Sequence, residues 1–150
     1  MNIVTNPATT LNLTTRINNL HINSERKWGS MNVNEMLLHC IDGLRMIFGE
    51  LQVKDMSNWL MRTFGKPFVL SGINFPKNSP TAPELVKSAG NFTAAELEAN
   101  KQTLLAYIDK LKNASDSELK PHAMFGKFSK QQYGKFVYKH LDHHLRQFGV

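Results

Sequence analysis

The chain has 150 residues, a hydrophobic fraction of 41%, one cysteine (Cys40) and a formal net charge of +6. That length is enough for one domain, residues 1–150, with a buried core, and a lone cysteine excludes a disulfide framework within the chain. No apolar run approaches the roughly 20 residues that span a bilayer, and the first residues have neither the basic nor the apolar region of a signal peptide. A soluble cytoplasmic protein with no membrane partner is therefore expected.

Residues 10–23 read as a first helix, with Leu13, Ile17 and Leu20 on one face. Its asparagines and threonines weaken it, so packing must hold it. A polar connection follows, in which Trp28 can plug the end of a helical bundle. Asn32 with Glu35 then makes a variant capping box. Beyond it Val33, Leu37, Cys40, Leu44, Ile47, Phe48 and Leu51 recur at helical spacing. Cys40 lies on that stripe and reads as an inert buried thiol. His39 lies on the flank of the stripe, near Met36, Gly43 and Met46, where a partly exposed ring is the ordinary reading.

Residues 56–64 predict a short helix stopped by Gly65 and Pro67. From Gly65 to Asn91 the chain carries Pro67, Pro76, Pro80 and Pro83 with Gly72 and Gly90. A structureless loop of that length is unusual in a compact domain, so a helical turn is expected from Pro83. The insertion is expected to wall a pocket or to meet a partner subunit. Its apolar residues (Met56, Trp59, Leu60, Phe64, Phe68, Val69, Leu70, Phe75) exceed the needs of a surface loop and predict a homodimer.

Two well-marked helices complete the chain. Thr93 and Glu96 form a capping box with Phe92 and Leu97 as its hydrophobic staple, and the stripe runs through Leu104, Ile108 and Leu111 to about residue 112. Ser129 with Gln132, and Phe128 with Tyr133, repeat the device for a last helix ending at Gly149. Four main helices with a long insertion between the second and third predict an all-α four-helix bundle.

The last helix carries the chemistry. His140 and His144 are four residues apart and share a face with Tyr133, Phe136, Val137 and Phe148. Unpaired rings are costly to bury, and a shared metal ion is the economical partner. Three imidazoles, two from this helix and one from the second, would make an open site, since neutral imidazole suits Zn, Ni, Fe and Cu. No glutamate stands between His140 and His144 to act as a zincin base, and Glu35 is wrongly spaced for a carboxylate di-iron site. His143 lies nearer the edge of the stripe, where a surface role competes with one as proton shuttle. Gln147 faces inward and can hold a ring. His122 reads as a loop hydrogen bond. Lys120, Lys127, Lys130, Lys135 and Lys139 form a basic run, with Lys135 and Lys139 on the outer face of the last helix. With no nucleic-acid motif beside it, the run reads as a solvated face or as a rim that draws small anions.

Trp28-Gly29-x-Met31, Glu35-x-x-x-His39, Phe125-Gly126, Ser129-x-x-Gln132 and His140-x-Asp142-His143-His144-x-x-Gln147-Phe148-Gly149 together resemble the DinB/YfiT-like superfamily. Within it they are most similar to an uncharacterised bacterial branch built on a domain of unknown function. The resemblance covers both ends of the chain and is weakest over residues 50–92. Ala123 departs from it, since a proline is expected after His122. The resemblance implies an up-down-down-up four-helix bundle in which His39, His140 and His144 hold one divalent ion (Zn, Ni, Fe or Mn). It further implies a metal-dependent enzyme, hydrolase-like or a thiol (S-)transferase, acting on a small-molecule substrate or with a low-molecular-weight thiol. His143 and Gln147 are the candidates for a catalytic role. A non-catalytic metal-binding or stress-response protein is the alternative, and a basic nucleic-acid binder the third reading.

Overall fold

Each long helix begins where its side chains can replace the missing backbone acceptors. The computed structural model describes residues 2–79 and 81–150, so Pro80 lies outside the described residues. Helix α1 spans Pro7–Asn18 rather than 10–23. Asn6 caps it by accepting from the Ala8 and Thr9 amides at 3.0 and 3.3 Å, and Pro7 fills the first turn, where its missing N–H costs nothing. Helix α2 spans Val33–Ile47, opened by the full Asn32–Glu35 capping box. It stops before Leu51 because Gly49 turns the chain at φ +74°, a conformation L side chains rarely adopt.

The segment expected to end at Gly65 instead continues as a helix. A wide turn over Met61–Gly65 runs directly into a short helix α3, Lys66–Leu70. In the wide turn the Lys66 amide donates back to Met61, and the shifted register puts Pro67 in the first turn of α3, where it lacks no bond. Gly65 is no stop signal either. It sits against Phe125, whose ring would lie 3.1 Å from any Cβ added there. A single 3-10 turn at Pro83–Leu85 supplies the expected structure further on.

Helix α4 spans Ala94–Asn113 and helix α5 spans Lys130–Gln147, both with the predicted capping boxes. The staple of α5 is direct: the Phe128 and Tyr133 ring centroids are 5.0 Å apart. Among the described residues there is no strand, and the architecture is an all-α bundle. One core joins Leu13 and Ile17 of α1, Leu37 and Leu44 of α2, Leu104, Ile108 and Leu111 of α4, and Tyr133 and Leu141 of α5. Helix α2 packs mostly on α4, while α5 touches α1, α2 and α3. No helix among the described residues is long and apolar enough to cross a membrane.

The insertion folds back over α5 and changes the reading of the basic run. Lys139 is buried, not on an outer face. Its ammonium donates to the Phe68 carbonyl at 2.9 Å and lies 4.7 and 4.5 Å from the Phe68 and Phe75 ring centroids. Burial lowers the pKa of this lysine, and the two ring faces replace part of the lost hydration. Val69 is buried and Phe75 partly so, whereas Trp59, Leu60 and Phe64 remain exposed.

Candidate metal centre

The α2 and α5 helices bring three imidazoles together. His39 Nε2 lies 3.0 Å from His140 Nε2, and His144 Nε2 lies 3.2 Å from the same atom. Donor atoms of the three rings all fall within 4.8 Å of one another. Helix geometry explains the pair on α5, and on α2 Gly43, one turn beyond His39, faces the His140 ring. The His140 ring lies 3.7 Å from where a Gly43 Cβ would be. On its other face His140 stacks on Phe136, with planes 8° apart.

The outward nitrogens decide what the inward ones can be. His39 Nδ1 lies 2.9 Å from the Leu85 carbonyl, which only accepts, so Nδ1 carries the proton. His144 Nδ1 lies 3.0 Å from Gln147 Oε1. The amide is oriented by its other end, since Gln147 Nε2 donates to the Trp28 carbonyl at 2.7 Å. Gly29 leaves room for that contact, because a Cβ there would strike Gln147 Nε2. Two of the three Nε2 atoms therefore present lone pairs to the third. The His140 ring can donate one proton to one neighbour, never to both, so an acceptor-to-acceptor contact remains. An ion ~2.0–2.1 Å from each nitrogen would set the nitrogens roughly 2.9–3.4 Å apart in octahedral or tetrahedral geometry. The two spacings at His140 fall in that range, and on His39 and His144 the outward N–H is held by an oxygen acceptor, as on metal-bound imidazoles. The cluster could hold a metal ion.

The rings are neutral. Burial lowers the pKa of His39, with further depression from Lys87 against the opposing effect of the Leu85 bond. Burial, and then the charges that His144 and His39 would carry, take His140 well below its ordinary value. His144 is lowered to about 3, first by burial and then by His39. A cluster that resists protonation keeps its lone pairs free for an ion.

The surroundings correct two readings of the sequence and extend a third. His39 is buried and not a partly exposed flank ring. His143 is also buried, not on the surface, and its ring centroid is 5.2 Å from that of His144. It stands outside the ligand cluster, edge-on to Trp28 and Phe75, and its Nδ1 is buried with no hydrogen-bond partner. His122 accepts from the Met124 amide at 3.1 Å, the expected loop bond, but it also lies among Phe125, Phe128 and Phe136 in the wall of a cavity. That cavity, of about 370 Å³, contains His39, His140, His143 and His144 in its lining. The insertion supplies much of the rest, including Phe68, Val69 and Phe75. Sequence reasoning missed the Leu85 carbonyl, whereas it placed Phe136 on the histidine face of the last helix.

No curated protein and no solved structure matches the chain. Residues 8–149, from the first turn of α1 to the last glycine and straight through the insertion, match the family described as Protein of unknown function (DUF1569), and the chain belongs to that family.

Proposed function

We propose that this protein is a metal-dependent enzyme of the DinB/YfiT-like kind, with His39, His140 and His144 holding one divalent ion: Zn, Ni, Fe or Mn. The observation that carries the reading is the facing of three Nε2 atoms whose outward N–H groups, on His39 and His144, are already engaged by oxygen acceptors. When bound, such an ion supplies a Lewis acid that can generate a nucleophile at neutral pH, from water in a hydrolase or from a low-molecular-weight thiol in a transferase. His143 is the residue placed to move a proton. Its unpartnered Nδ1 is buried beside the cluster, and the ring lines the same cavity. Gln147, the other candidate, positions His144 by accepting from its Nδ1. The walls around the cluster are mostly apolar.

The test is elemental analysis of protein purified without a histidine tag, followed by reloading with each of the four metals. One ion per chain is expected, lost in His140→Ala, His144→Ala and His39→Ala and kept in His143→Ala. A protein that carries no stoichiometric metal and cannot be reloaded overturns the proposal. A non-catalytic metal-binding role is the second reading, favoured by one feature: among the described residues no carboxylate lines the cavity to serve as a general base.

A further inference from the structure

The chain is basic, with a formal net charge of +6, yet among the described residues no Lys, Arg, Asp or Glu lines the cavity beside the histidines. Its walls are thioether, aliphatic and aromatic, with Met31, Met61, Phe68, Phe75, Phe136 and Val137 as representatives. Ser79 and Thr81 are the hydroxyl side chains in the lining, and both are exposed, so they belong to its rim. Lys139, the basic residue nearest in sequence to His140, turns away and is consumed by the Phe68 carbonyl. Away from the histidine cluster, a carboxylate or ammonium entering this space would give up its water and find no counter-ion in the walls.

One polar group remains in the wall apart from the histidine cluster and its neighbour His143. His122 accepts the Met124 amide proton at Nδ1, so its neutral ring carries the remaining proton on Nε2 and is a hydrogen-bond donor. Phe136 separates it from His140: the His122 and Phe136 centroids are 4.8 Å apart, and those of Phe136 and His140 5.9 Å. A ligand lying across Phe136 could therefore meet the cluster at one end and His122 at the other. A dry cavity of ~150 Å³ already admits benzene. The larger space here suits a substituted aromatic ring or a short acyl chain.

We infer that the cavity admits a neutral molecule with an apolar body, presenting one donor atom to the histidine cluster and a hydrogen-bond acceptor to His122, and that it turns away anionic substrates and charged thiols. The anchoring at the cluster rests on the metal reading proposed above. The preference for a neutral apolar body does not.

The experiment uses the full chain in metal-free and Co²⁺-loaded forms. In the metal-free form, calorimetric titration compares acetophenone with benzoate, which match in size and differ in charge. Acetophenone should bind at least tenfold more tightly, and His122→Leu should weaken it several-fold while leaving toluene unchanged. In the Co²⁺ form, 2-phenylethanethiol should alter the visible cobalt absorption at concentrations at least tenfold lower than 3-mercaptopropionate or glutathione. Equal or tighter binding of benzoate, or no binding of either aromatic, overturns the inference. Failure to hold Co²⁺ together with Zn, Ni, Fe and Mn would remove the metal reading alone, since the acetophenone and benzoate comparison decides the cavity's preference without it. Should His122→Leu not fold, the wild-type pair still gives that decision.

Discussion

Gln147 touches no candidate ligand atom, yet it fixes which nitrogen of His144 is free. Its amide accepts from His144 Nδ1 and donates to the Trp28 carbonyl, so it cannot flip without losing both bonds. Gln147→Leu should keep the ring in place by packing while releasing its tautomer. Metal affinity, read by competition with a chromogenic chelator, is expected to fall about 10–100-fold. The folded baseline in the same sample should be unchanged. At this scale the sequence was legible in parts. The four-residue spacing puts His140 and His144 on one side of α5 without any further knowledge. The proton carried by each ring was not legible, because it depends on Leu85 and Trp28, carbonyls that no side-chain pattern announces. His143 was misread for a related reason. Periodicity gives its angle on α5 but not the Trp28 and Phe75 rings that come to cover it.

At the scale of elements, the capping boxes made α2, α4 and α5 readable to within a residue or so at their starts, since the cap and its partner lie three residues apart in the chain. The insertion was not readable in the same way. Its helix passes through Gly65 and Pro67 because a wide turn moves the missing donor to a harmless position, and its docking uses a lysine that the pattern assigned to solvent. Lys139→Met should test that docking. Methionine fills the stem's volume but removes the bond to Phe68 and both ring contacts. Amide exchange over residues 66–79 is expected to accelerate by an order of magnitude or so, corresponding to about 1–1.5 kcal/mol, with α2 and α4 unaffected. Equal acceleration in α4 would mean that Lys139 stabilises the whole bundle and not the insertion. Trp59, Leu60 and Phe64 form the part of the insertion left exposed, and the Trp59 and Phe64 centroids stand 6.0 Å apart. If this patch mediates the proposed homodimer, sedimentation at micromolar concentration should show twice the 17.1 kDa mass, reverting to monomer in Phe64→Asp.

For the whole molecule, buried neutral histidines make stability depend on pH. Burial lowers His122 to about 4, whereas in the unfolded chain its value returns to ~6.5. Between those values the unfolded state binds a proton that the native state refuses, so stability rises with pH across this window. The contribution is fully present above pH ~6.5 and is lost as pH falls towards 4, amounting to about 3 kcal/mol for this ring alone. His144, lowered to about 3, acts in the same direction. The urea midpoint should therefore drop steadily from pH 7 to pH 4.5, and His122→Leu should flatten part of that slope. A midpoint independent of pH across the window would contradict the burial of neutral rings.

The hydrogen bond from His39 to Leu85 joins two parts of the molecule that otherwise differ in kind, a rigid bundle and a segment laid over it. An ion held at the cluster would draw electron density from His39 Nε2 and make its Nδ1–H a stronger donor, so it would tighten the bond to the Leu85 carbonyl. Linkage is reciprocal: whatever factor a bound ion would add to the docked population of the segment around Leu85, docking would add to the affinity for the ion. If the cluster holds an ion, its release and the opening of the cavity roof would then favour one another. Loading the ion should slow amide exchange at Leu85 and its neighbours, and Lys139→Met, which loosens the roof from the opposite side, should speed metal loss without altering any ligand.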